Sequence, residues 1–409
     1  MLQIADARER RMVAAADAVL RAACAAGRTR TRPLRADIRR ILVLRLERIG
    51  DLMMALPALH ALRQLAPRAQ IDLVTGSWNE SLARLIAGVD RVETMDARWL
   101  SRGAGGLGLV GLARRAWAWR LRHYDVAINL EGDIRSNLLL GLSGARWKAG
   151  FDMAGGGPVL DAAALFDPGE HTAANAVTLV ATALGEKLSA GAARVGTARE
   201  AAAALPRSGL LLPGHARERA EQLLRSAAHP TSPMVGIQVG AGRLVKQWPA
   251  ERLAAVAGRL VRDVNAIIVL TGAQEDRAAA DVLIAGLPPA AGVIDLVGAL
   301  DLVTLAAVLA KLSLLITPDT GPMHIAAIVE TPVVAIFGPA TPERWGPLSR
   351  QCRIVRVDLP CSPCNRVRRP PERCVGHTPD CLASIEVDDV FGAALSLLKG
   401  ATAPGAGLP

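Results

Sequence analysis

Short apolar runs alternate along this chain with longer stretches whose apolar residues recur about every three to four positions. Residues 41–44 (ILVL) form a β-type run, and 52–65 carry a helical apolar pattern that Pro67 ends. Residues 71–74 are again strand-like, so strand, loop, helix and strand predict a βαβ unit and a parallel sheet. Residues 124–130 (YDVAINL) add a strand to the same half. A second series opens with a strand at 234–239. It continues with a helix at 251–261, strands at 266–270 and 293–296, a helix at 302–311 and strands at 314–317 and 332–337. Both series predict α/β, doubly wound domains, which bind ligands outside the carboxyl ends of their strands.

Residues 199–232 lack a clear apolar period and read as a linker region with one helix. The expected organisation is a helical extension at 1–38, a first domain at 39–205 and a linker at 206–232. A second domain at 233–385 and a closing helix and tail at 386–409 complete it. Two such domains place a cleft between them, a preferred ligand site.

Composition narrows this picture. A length of 409 residues suits two or three domains at roughly 150 residues each. With 51% hydrophobic and 21% charged residues, the chain is not disordered as a whole. No apolar run reaches the roughly 18 residues of a membrane span, because Asp295, Asp301, Lys311 and Asp319 interrupt the most apolar region. The first 40 residues mix Arg, Ala and acids without the apolar segment of a signal peptide, which predicts a cytoplasmic protein. Six cysteines make no disulfide framework.

The net charge of +10 admits two readings: an arginine-rich compositional bias, or an anionic partner such as a phosphate-rich lipid or membrane surface. Nucleic acid is not expected as a partner, since four Phe and one Tyr leave few stacking platforms. The helical segment 5–26 and the basic stretch 28–40 read as a helix resting on the body of the protein. Peripheral docking on the inner face of the cytoplasmic membrane is the alternative.

Several local groups offer chemistry. Asp51, between a strand and a helix, reads either as a helix cap or as a general base. Gly240, Ala241 and Gly242 follow a strand, where small residues let backbone amides approach an anion, and Lys246 adds positive charge. A tight turn and a surface lysine are the plain alternative. Asp319, Thr320, Gly321 and His324 (in TPDTGPMH) open an apolar helix after a strand, which suits phosphate. An Asp or Thr cap and a half-buried core histidine would look the same.

Cys361, Cys364, Cys374 and Cys381 offer four soft ligands for zinc, or are reduced thiols packed on a basic loop. Residues 106–111 match G-x-G-x-x-G without a preceding strand and read as a Gly-rich loop, not a dinucleotide site.

Together these residues resemble a known family. ILVLRLERIGDLMMALPALHALRQLAPRAQIDLVTG resembles the opening of glycosyltransferase family 9, and TPDTGPMHIAAIVETPVVAIFGPATPERWGP its donor-site signature. The stretch GIQVGAGRLVKQWPAERLAAVAGRL and the late cysteine loop are also similar, so the likeness covers roughly residues 40–398.

The resemblance implies a GT-B fold, two Rossmann-like domains facing across a cleft. It implies inverting transfer of heptose from ADP-heptose to a lipopolysaccharide core acceptor, an anionic glycolipid, without cofactor or obligatory metal. By motif match, Asp51 is the general base and Lys246 binds the diphosphate. Gly240, Ala241, Gly242, Asp319, Thr320, Gly321 and His324 hold the donor's phosphates and sugar. Gly272 and Glu275 (in TGAQED) stand at its ribose, and Leu300 faces adenine. Arg45 and Gly50 stand near the acceptor. Arg98, Arg102, Arg114, Arg115, Arg120 and Arg122 are candidates for an electropositive acceptor face.

Other readings stay open. A family member using another nucleotide sugar for O-chain, capsule or another surface glycan would carry similar residues. A sugar-nucleotide epimerase needs carboxylates grouped around one sugar, and a non-catalytic sugar-binding scaffold would not need Asp51, Lys246 and His324 together.

Overall fold

The computed structural model describes residues 7–27, 37–100, 105–185, 209–225, 232–289, 291–367 and 370–401. The chain divides into two units, 1–206 and 207–409. The basic stretch 28–36, Arg102, residues 206–208 and 226–231 of the linker and the final tail lie outside the described residues.

The first unit opens with α1 (Ala7–Gly27), which rests on the turn at 157–159. The Gly156 amide donates to Asp17 Oδ1 at 2.7 Å, so the extension is tied to the body. The unit's strands are β1 (Arg40–Arg45), β2 (Gln70–Thr75), β3 (Arg91–Thr94), β4 (Val126–Asn129), β5 (Trp147–Phe151) and β6 (Ala162–Ala164). They form one parallel sheet in the order β3-β2-β1-β4-β5-β6. After its first residue β1 is buried on both faces, as a continuous apolar run demands in a parallel sheet.

The helical pattern after β1 is broken into α2 (Ile49–Met54) and α3 (Leu56–Leu65), not one helix as the periodicity predicts. Pro57 has no amide to offer the Met53 carbonyl, and the break falls at Ala55. The short α4 (Glu80–Ala83) precedes β3, and α5 (Leu109–Ala118) precedes β4. Residues 109–111, expected as loop, are the first turn of α5, because Leu112 and Ala116 bury a helical stripe. α6 (Ile134–Leu142) follows β4, and α7 (Thr172–Ala183) packs on α3.

The second unit repeats this plan with β7 (Met234–Gln238), β8 (Ile267–Thr271), β9 (Val293–Asp295), β10 (Leu314–Pro318), β11 (Val333–Ile336) and β12 (Cys352–Val355). Their parallel order is β12-β11-β10-β7-β8-β9. Counted from its own first strand, each sheet reads 3-2-1-4-5-6, with the reversal between β1 and β4 in one and between β7 and β10 in the other.

The helix Gly214–Leu224 lies against Leu302–Leu309 and buries Ala216, Ala220 and Leu224 at intervals of one turn. The helix Val387–Ala401 sends Val390, Phe391, Ala394 and Leu397 into the core and lies against β10, β11 and β12. Both therefore belong to the second unit's packing. These two Rossmann-like sheets make the fold GT-B. Among the described residues no helix is long and apolar enough to cross a membrane.

Candidate active site

Each sheet builds a polar cluster at its own reversal point. In the first unit, β1 ends at Arg45 and the chain enters α2 with Arg48 in the capping position. Asp51 is therefore not the cap residue but sits in the helix's first turn. Its Oδ2 accepts the Arg48 amide at 3.1 Å. The buried guanidinium of Arg45 donates to the Leu130 carbonyl at 2.7 Å and to the Asp51 carbonyl at 3.1 Å. It pairs with Glu47 at 3.1 Å and with Asp51 Oδ1 at 3.6 Å. The Asp51 side chain is 26% exposed, enough for an incoming hydroxyl to reach it. Gly50, half-buried, occupies the same first turn of α2.

Glu131, just past β4, completes this cluster and was not singled out from the sequence. Its carboxylate accepts the Leu46 amide, joining the ends of β1 and β4. Burial pushes its pKa well above the ordinary range, Glu47 and Asp133 push the same way, and Arg45 opposes them. An acid directly after a predicted parallel strand was the available signal.

Raised carboxyl pKa values favour the protonated folded state, so stability is present below the ordinary value of 4.5 and falls as pH rises from there toward the folded value. Glu131→Gln is expected to flatten that decline, measured as the urea midpoint against pH. An unchanged slope would reject the assignment.

In the second unit, β7 runs into Gly240, Ala241 and Gly242 and then a short turn, Leu244–Lys246. Lys246 Nζ meets Asp319 Oδ2 at 2.5 Å across 73 residues of sequence. Asp319 directly follows β10 and is buried. Thr320 stands in the capping position of the helix Gly321–Ile328, but its hydroxyl lies 3.3 Å from that of Thr317 and does not cap. The helix's positive end is thus left without a side-chain cap, the arrangement an anion fits. His324, one turn on, is buried rather than half-buried.

Gly240 owes its identity to a neighbour. A Cβ there would stand 1.9 Å from the Asp276 carboxyl carbon, and one at Gly272 would stand 3.1 Å from its Oδ2. Asp276 accepts the Ala273 amide at 2.8 Å, and burial raises its pKa while that bond opposes the shift. Glu275, expected at the ribose, faces solvent; the half-buried acid at this edge is Asp276. Leu300 is half-buried just before the helix that Asp301 caps through the Val303 and Thr304 amides.

Cys361, Cys364, Cys374 and Cys381 are all free thiols lining one cavity of about 600 Å³. Burial, then the other three thiols, push Cys381 up to about 11. Among the described residues no group of three or more His, Cys, Asp or Glu is placed to hold a metal. Of the arginines expected on an acceptor face, Arg122 turns inward to Glu93 at 2.7 Å, while Arg98, Arg114, Arg115 and Arg120 are exposed.

Residues 114–374 match the family model described as Glycosyltransferase family 9 (heptosyltransferase). The chain belongs to glycosyltransferase family 9. It is a glycosyltransferase. It is 28% identical over 326 residues to lipopolysaccharide heptosyltransferase 2 of Salmonella typhimurium, covering 78% of this chain and 88% of the relative.

Among solved structures, the glycosyl transferase family 9 protein from Veillonella parvula superposes with a TM-score of 0.71 at 23% identity. That match covers 89% of this chain and 98% of the other. ADP-heptose lps heptosyltransferase II of E. coli superposes with a TM-score of 0.68 at 22% identity, over 89% and 100%. Lys246 and Asp319 lie within the matched residues 114–374, and Asp51 lies before them.

Proposed function

We propose that this family 9 enzyme transfers heptose, with inversion, from ADP-heptose to a lipopolysaccharide core acceptor at the cytoplasmic face of the membrane. The observation that carries the reading is the Lys246–Asp319 pair at the reversal point of the second sheet, beside a helix end whose threonine does not cap it. A leaving nucleoside diphosphate gains negative charge as the glycosidic bond breaks. A lysine held by a buried carboxylate and an uncapped helix N-terminus answer that charge without a metal.

Asp51 takes the proton of the acceptor hydroxyl as it attacks, so a single displacement inverts the anomeric carbon. Arg45 holds the Asp51 loop through its backbone and carboxylate contacts. Gly240, Ala241, Gly242, Gly321 and His324 border the diphosphate and sugar. Gly272, Glu275 and Leu300 border the nucleoside, and Gly50 the acceptor. The heptose and the lipopolysaccharide acceptor are supported by the names of the curated relatives, and the adenine base by the motif resemblance.

Titration calorimetry with ADP, UDP and GDP tests the donor. ADP is expected to bind at least tenfold more tightly than either, about 1.4 kcal/mol. Tighter binding of UDP or GDP would transfer the reading to a family member with another nucleotide sugar.

A further inference from the structure

One face of α5 is exposed. The helix buries Leu112 and Ala116, and the short turn after it buries Trp119. Yet Leu109 is 71% exposed, Val110 77%, Trp117 57% and Leu121 81%. Val110, Arg114, Trp117 and Leu121 recur at intervals of three to four residues, so they lie along one outward stripe. Arg115 and Arg120 are exposed beside it, and the Arg120 guanidinium stacks on the Trp117 ring at 4.1 Å. No acidic residue occurs from Gly105 to His123. Leu109 also lines a mostly apolar cavity of about 710 Å³ with Leu112, Leu138 and Val159, where Arg135, Lys148 and Asp161 are the charged residues.

Large apolar side chains gathered on one exposed face mark an interaction surface. The chemistry here selects its partner. Apolar residues, an interfacial tryptophan and cations of a single sign match a bilayer whose headgroups carry phosphate.

We propose that α5 and the turn after it seat the first unit on an anionic phospholipid surface. Val110, Trp117 and Leu121 enter the boundary between headgroups and acyl chains, and Arg114, Arg115 and Arg120 pair with lipid phosphates. The inference rests on the proposed glycolipid acceptor only for its purpose. It seats the docking surface on α5 and not on the N-terminal extension, for which membrane docking was the alternative to a helix resting on the body.

The test is co-sedimentation of the full chain with vesicles of phosphatidylcholine alone or mixed with phosphatidylglycerol. The protein is expected to partition onto the mixed vesicles at least tenfold more strongly, and less so as salt rises. The variant Val110→Ser/Trp117→Ser/Leu121→Ser is expected to lose about tenfold of that binding. The replaced side chains are exposed, so its thermal melt should match the parent. Arg114→Gln/Arg115→Gln/Arg120→Gln is expected to abolish the preference for anionic vesicles. Parent-like binding by the apolar variant overturns the proposal, as does failure of the parent to bind. Binding is read without sugar transfer, so either result stands apart from the calorimetry of the donor site.

Discussion

Asp51→Asn is expected to lower kcat by about 10² to 10⁴, the contribution of a positioned general base, while donor affinity stays close to that of the parent. Asparagine keeps an oxygen for the Arg48 amide that Asp51 Oδ2 now accepts, so the first turn of α2 should hold. It cannot take up a proton. Asp51→Ala should lose as much turnover and, in addition, about 1 kcal/mol of stability from the missing contact at the helix start. Steady-state transfer assays with a truncated lipopolysaccharide acceptor, read beside urea denaturation, separate the two effects. Full turnover in the asparagine variant would remove Asp51 from the chemistry and leave it as part of the helix start.

Lys246→Ala should cost about 10² to 10³ in kcat/KM, because it removes a cation aimed at the leaving diphosphate. It should also destabilise the second unit by about 1–3 kcal/mol, since Asp319 is only 7% exposed and would lose the paired charge of Lys246. The double variant Lys246→Ala/Asp319→Ala distinguishes the two roles. Stability is expected to return, because no buried carboxylate is stranded, but transfer is not. Recovery of transfer along with stability would show that the pair only holds the loop, and the proposed donor role of Lys246 would fall.

The central strands were legible as apolar runs. β1, β2, β4, β7, β8, β10 and β11 are buried on both faces over most of their length, and such strands need apolar residues at nearly every position. β3, β6 and β12 lie at the sheet edges, and they and β5 were not read from the sequence. β6 is three alanines, which carry little strand preference of their own, and it exists because it pairs with β5. The fused helix over 52–65 was misread for a local reason, the missing amide of Pro57, which was visible in the sequence but outweighed by the apolar period.

The reactive groups divide in the same way. Asp51, Lys246 and the Asp319-Thr320-Gly321 turn stand in contiguous stretches that a strand-to-helix pattern brings to the carboxyl edge, so the sequence alone marked them as chemistry. It also determined two doubly wound domains and a strongly basic chain. Sheet order decided the rest. The Arg45–Leu130 bond spans 85 residues because β1 and β4 are neighbours, and Lys246 finds Asp319 because β7 and β10 are. Glu131 gains its raised pKa, and Asp276 its place against Gly240, from packing between loops far apart in the chain. Burial and charge pairing depend on distance in space, which periodicity along one strand or helix does not encode.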